Sequence, residues 1–147
     1  MQGCPQREDA WCLLAAELRV DIALQLAMRR SLTKREIIRK KEDIDRIFRL
    51  GRSYSGQGMR LISLDNNLGF DRIIVIPRKH FGTAVERNKA RRRSKEIFRC
   101  YEKRINSEEP VEDEGKDYVL ILYPGKVSGF SLLESGFIEL LDRSHRK

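Results

Sequence analysis

Side chains able to do chemistry are few in this 147-residue chain and are poorly placed for it. Hydrolysing a phosphodiester with metal ions requires carboxylates that converge on one point. Glu42, Asp43 and Asp45 are close in sequence, but they surround Ile44 on a segment of helical periodicity, where adjacent side chains point apart. The acidic run Glu108, Glu109, Glu112, Asp113 and Glu114 lies among Pro110 and Gly115 and reads as a solvated loop. His80 and His145 are far apart in the chain. Cys4, Cys12 and Cys100 make neither a C-x-x-C pair nor a Cys/His cluster, which argues against a structural zinc site and a disulfide framework and favours a reducing cytoplasm. The stretch from Gly51 to Gly58 lacks the Gly-Lys-Ser/Thr ending of a phosphate-binding loop. We therefore expect no catalytic side chain and no metal ligand on the protein itself.

The informative residues are cationic. Between Ala84 and Arg104, a helical period puts Ala90, Ser94, Ile97, Tyr101 and Ile105 on one side. Asn88, Arg91, Arg92, Lys95, Arg99 and Lys103 then form a band on the other side. Like charges three or four residues apart destabilise a helix by a few tenths of a kcal/mol per pair. A solvated face normally interleaves acids, whereas Glu96 and Glu102 stand only at the edges of this band. A polyanion removes the repulsion and releases its own counterions. Arginine suits phosphate because its planar fork grips two oxygens, and Asn88 can meet a base edge or a ribose hydroxyl.

The elements that must hold this helix follow from pattern. Residues 33–50 predict a first helix capped by Thr33 and Glu36, with a stripe of Ile37, Ile44, Ile47 and Phe48 and a stop at Gly51. Met59 to Leu64 alternates with period two, and Arg72 to Ile76 is a β-branched run ended by Pro77. Tyr118 to Tyr123 is the strongest strand signal, and a last helix starts near Ser131. This order predicts an α+β sandwich built on one small sheet.

The charge follows the same geography. The chain holds 30 Lys and Arg against 22 Asp and Glu, a formal +8, which attracts polyanions. From Met28 to Arg52 there are ten basic and four acidic residues, a second cationic surface. Beside an apolar stripe, it suggests a groove for a single strand whose bases stack on Phe48 or Tyr54. Residues 1–27 carry two basic and four acidic residues and read as an N-terminal extension, with Met28 as a second candidate start. Residues 28–147 read as the domain. No apolar run approaches the about 20 residues of a membrane span, so we expect no membrane association.

The stretch Lys79-His80-Phe81-Gly82-Thr83-Ala84-Val85-Glu86-Arg87-Asn88-Lys89-Ala90-Arg91-Arg92 resembles the signature of the ribonuclease P protein family. That signature runs lysine, a glycine-containing turn, Ala-Val, Arg-Asn, two residues, Lys-Arg, two residues, Arg. Arg87-Asn88 stands intact, Arg91-Arg92 replaces Lys-Arg, and Lys95 replaces the last arginine. Leu32 to Gly51 resembles the family's first helix and Asp117 to Leu122 its last strand. The resemblance implies an α+β fold: a small mixed four-stranded sheet with three helices in the order α-β-β-β-α-β-α. It further implies a left-handed β-α-β crossover, ribosomal-protein-S5-domain-2-like.

It also implies an endoribonuclease that works as a ribonucleoprotein and removes the 5′ leader of precursor tRNA. The partners implied are a catalytic RNA subunit and precursor tRNA, with no obligate protein partner. Catalysis and the Mg2+ would belong to the RNA. Arg87, Asn88, Lys89, Arg91, Arg92 and Lys95 would face that RNA, and Ile44, Phe48, Arg60 and Ile62 would line the leader cleft. Ile44 and Ile62 stand where the family often has aromatics, and Ile37 where it often has a basic residue, so base stacking should be weaker here. A ribosomal or ribosome-assembly RNA binder is the competing reading, and a self-sufficient nuclease the third.

Overall fold

A computed structural model describes residues 32–112, 114–125 and 129–146. The N-terminal extension read from residues 1–27 lies outside the described residues. Helix α1 spans Lys41–Leu50, strands β1 and β2 span Arg52–Gly56 and Met59–Asp65, and β3 spans Arg72–Pro77. Helix α2 spans Ala84–Cys100, β4 spans Lys116–Leu122 and α3 spans Phe130–His145. The strands form one mixed sheet in the order β1-β2-β4-β3. Strand β4 runs antiparallel to β2, with Leu61 opposite Leu120, and parallel to β3, with Val75 opposite Leu120. This is the α+β architecture with a mixed four-stranded sheet and three helices.

Period two assigns the two faces of the sheet. Met59, Leu61, Ile73, Val75, Tyr118, Leu120 and Leu122 meet α2 and α3 in the larger core. Phe98 of α2 is fully buried there, edge-on to Tyr118 with ring centres 5.7 Å apart. Ile62, Val119 and Ile121 face the other way and meet Ile38 and Ile47 beneath α1.

The first helix is shorter than its sequence pattern. Thr33 and Glu36 do form a reciprocal capping pair, with Thr33 N–H donating to Glu36 Oε2 at 2.7 Å. They cap only one 3-10 turn, Lys34–Glu36. Ile37 then bridges Ile73 in parallel, and Ile38 N–H donates to the Ile73 carbonyl at 3.2 Å. The edge of β3 thus takes these β-branched residues into extended backbone, and the helix begins at Lys41. Helix α2 also stops early, at Cys100, and beyond it Arg104 turns inward to Glu36 of this lead-in segment.

Gly51 presses α1 onto the sheet. A Cβ there would lie 2.4 Å from the Ile47 carbonyl oxygen and 2.5 Å from Ile62 Cγ2. Neither the backbone nor a methyl in the core can move away freely, so Gly51→Ala will cost about 1–3 kcal/mol as overpacking does. A fall in the urea midpoint with an unchanged slope checks this.

Asp71 closes the lower end of the domain. Its carboxylate accepts from Ile105 N–H at 3.0 Å and Lys116 N–H at 2.9 Å, joining the α2–β4 loop to β3. Burial raises its pKa from 3.8 to about 6, opposed by those two bonds and by Lys116 and Arg104. The folded carboxyl therefore holds its proton at pH values where the unfolded one has lost it. Its contribution to stability falls as pH rises from about 4 to about 6, and the cost is complete above that. A carboxyl NMR titration of Asp71 should show a midpoint near 6, and a midpoint near 4 would contradict this burial effect.

Candidate nucleic-acid interface

The turn Lys79-His80-Phe81-Gly82 delivers the chain from β3 into α2 within a few residues. His80 and Gly82 take positive φ, at 67° and 138°. A Cβ on Gly82 would lie within 3.1 Å of Glu86 Cδ, and Glu86 Oε2 is needed to accept from Thr83 N–H at 2.7 Å. Glu86 N–H in turn donates to Thr83 Oγ1 at 3.3 Å, which completes a capping box. The helix is therefore fixed at its N-terminus by local chemistry. Along its length it is fixed by Ala90, Ser94, Ile97 and Phe98 in the core.

What remains outward is cationic. From Arg87 to Lys95 there are six cations and no acid. None of Arg87, Lys89, Arg91, Arg92, Arg93 or Lys95 is among the cations that form ion pairs with described residues. Arg91 Nη1 donates only to the neutral Asn88 Oδ1, at 3.2 Å, and Arg87 Nε is buried without a hydrogen-bond partner. All of the predicted set, Arg87, Asn88, Lys89, Arg91, Arg92 and Lys95, lies on this one helix, and Asn88, Lys89, Arg91 and Arg92 are exposed. Five like-charged pairs at three or four residues' spacing cost it about 1–2 kcal/mol.

The band is shorter than helical periodicity alone predicts. Arg99 pairs with Glu96 one turn back, a contact that holds its guanidinium pKa up. Lys103 lies beyond the helix and reaches Asp142 of α3 at 2.8 Å, where Tyr101 also donates at 2.8 Å. Lys103 and Tyr101 together hold the Asp142 carboxyl below its ordinary range. The chain's own acids thus neutralise the C-terminal end and leave the first three turns free.

On the opposite face of the sheet, α1 packs on β2 and β4 and not on β3. That leaves Ile74 and Ile76 partly exposed beside Tyr123. Arg78 lies over the Tyr123 ring at 5.2 Å, and Arg60 is exposed in the row of Ile121 and Ile76. Phe48 forms the α1 wall, 46% exposed, with Ile44 half-buried below it. Ile62, by contrast, is buried beneath α1 against Gly51, so it supports the groove and is not offered to a ligand. Sequence reasoning missed Ile74, Ile76, Arg78 and Tyr123. Alternation gives their face, but not which residues α1 leaves uncovered.

Asp43 and Asp117 are engaged structurally. Asp43 takes Arg72 Nη1 at 3.3 Å, and Arg72 reaches Asp117 through Nε at 2.7 Å and Nη2 at 2.6 Å. The bidentate Arg72–Asp117 pair joins β3 to β4 and raises the Arg72 pKa, and the Asp43 contact ties the start of α1 to it. Among the described residues, no three His, Cys, Asp or Glu side chains gather at metal-ligand spacing. No described helix is long and apolar enough to cross a membrane.

Comparison with known proteins agrees with this geometry. The family model of ribonuclease P matches residues 32–145. The ribonuclease P protein component of Thermotoga maritima is 35% identical over 72 residues, which cover 49% of this chain and 62% of that protein. The match thus spans under two thirds of that relative. The corresponding protein of Borrelia turicatae is 31% identical over 97 residues, 65% of this chain and 80% of its own. The solved RNase P protein from Thermotoga maritima aligns with a TM-score of 0.57 at 27% identity, covering 74% of this chain and 96% of that one. A family match across nearly the whole described fold, with the cationic helix inside it, shows that the chain belongs to the ribonuclease P protein family.

Proposed function

We propose that this protein is the protein subunit of a ribonuclease P ribonucleoprotein that removes the 5′ leader of precursor tRNA. In this reading, α2 lies against the catalytic RNA, with Arg87, Asn88, Lys89, Arg91, Arg92 and Lys95 on its backbone. The groove between α1 and the sheet holds the single-stranded leader over Ile76, Ile121 and Tyr123, with Arg60 and Arg78 at its phosphates and Phe48 at a base. The RNA supplies the reactive centre and the Mg2+. The protein binds, orients and neutralises charge, and it works in the cytoplasm.

The observation that carries the reading is the first three turns of α2. Their cations have no carboxylate partner within the described fold, although a partner would relieve their mutual repulsion. A phosphate backbone supplies one and gains entropy from released counterions.

The test mixes the purified chain with catalytic RNA and precursor tRNA at low Mg2+, where the RNA alone is slow. Stimulated release of the leader with a mature tRNA 5′ end is the expected result. Folded protein that binds structured RNA yet gives no stimulation would favour a ribosome-assembly role.

A further inference from the structure

The flank of α2 that faces α3 carries its own arrangement. Lys89 and Arg93 are four residues apart, so they share one side of the helix, away from Arg87, Arg91 and Lys95. Beside them lies a hollow of about 370 Å3, lined by Phe81, Lys89, Ala90, Arg93 and Leu133. That size falls at the lower end of the range for small-ligand sites. Its walls are apolar at Phe81, Ala90 and Leu133 and cationic at Lys89 and Arg93. Glu86 also borders it, but its Oε2 is held by Thr83 N–H and Oγ1 at the helix cap. Arg93 is half-buried and lies over the Phe130 ring, 5.5 Å from its centre. Phe130 itself is 41% exposed at the first residue of α3.

A guanidinium held over a phenyl ring can offer its planar face to a stacking partner. Unpaired bases are bound on such planes, and stacking of this kind is worth about 1–3 kcal/mol per base. Charge selects among occupants: neither Lys89 nor Arg93 forms an ion pair with the described residues, and the two cations outnumber Glu86, so the occupant brings negative charge. We infer that the hollow between α2 and α3 receives one unpaired nucleotide of the catalytic RNA. Its base stacks on the Arg93–Phe130 pair and its phosphate meets Lys89. The inference rests on the ribonuclease P reading and adds a base-stacking site to a helix otherwise suited to gripping phosphates. The proposed leader groove lies across the sheet, so the leader is not the source.

Two variants test it, Arg93→Lys and Phe130→Ala, with the full chain and the catalytic RNA alone, precursor tRNA being left out. Arg93→Lys keeps the charge and removes the plane. It should weaken binding about tenfold while the slope of log K against log salt stays unchanged. Phe130→Ala, at an exposed position, should do the same. In chemical footprinting, both should lose protection at the same single unpaired nucleotide. Full affinity and an unchanged footprint for both variants would overturn the proposal, as would a loss spread evenly over many nucleotides. Wild-type binding and an Arg87→Ala/Arg91→Ala control run alongside. If the control also binds as wild type, the interface reading itself fails; if only the control is impaired, the hollow alone is excluded.

Discussion

Replacing Glu36 with alanine will lower the stability of the domain by about 3–5 kcal/mol, the largest effect we expect of any single polar substitution. Glu36 and Arg104 side chains are each 1% exposed and meet at 3.3 Å. Arg104 has little else: Nη1 reaches the Arg99 carbonyl at 3.5 Å, its Nε is unpartnered, and the Phe98 ring lies 5.6 Å below. Burial lowers its pKa and the Glu36 charge raises it, so the carboxylate is what makes a buried guanidinium tolerable. Without Glu36 the buried positive charge keeps only the longer-range field of the Asp71 carboxylate. The reverse substitution, Arg104→Met, should cost less. Glu36 keeps Thr33 N–H at 2.7 Å and Ser107 N–H at 2.9 Å, and methionine refills the volume over Phe98. Urea unfolding of both variants decides the point, and equal losses would show that the pair does not behave in this asymmetric way.

The second large effect concerns binding. Arg87→Ala with Arg91→Ala removes two unpaired guanidinium groups on one flank of α2. At low salt we expect a loss of about 2–3 kcal/mol in affinity for catalytic RNA, roughly 30- to 150-fold in Kd. The slope of log K against log salt should become shallower by about 1.4–1.8 for two lost phosphate contacts. Stability should hold or rise slightly, since two like-charge repulsions vanish. The paired lysine variants separate two roles of arginine: they should keep the slope and lose only the forked geometry. A double alanine variant with an unchanged slope would remove these residues from the interface.

Much of this was legible in the sequence, for identifiable reasons. The band of Asn88, Arg91, Arg92 and Lys95 follows from 3.6-residue periodicity, a property of adjacent residues, while Arg87 and Lys89 join it through the family resemblance. The strand at Tyr118 follows from an apolar run too short for a helix. Most of the errors involve distant partners. Thr33 and Glu36 read as the start of a long helix because nothing nearby reveals that Glu36 belongs to Arg104, 68 residues on. Arg99 and Lys103 read as interface cations because Glu96 and Asp142 neutralise them only through rotamer choice and the packing of α3. Ile62 reads as cleft lining through the family resemblance, which does not report that Gly51 lets α1 settle over it.

Strand β4 lies between β2 and β3, and α2 is the crossover that carries the chain from β3 to it. Neither neighbour can pair with the other, so the sheet closes only when residues 116–122 slot into the gap. Met59 finds its partner Leu122 across more than sixty residues of chain. Such distant pairing makes for high contact order and slow closure, in the millisecond-to-second regime of small sheet proteins. During synthesis, the cationic helix emerges before the strand that anchors it, so a nascent chain exposes its charge before it owns a stable surface.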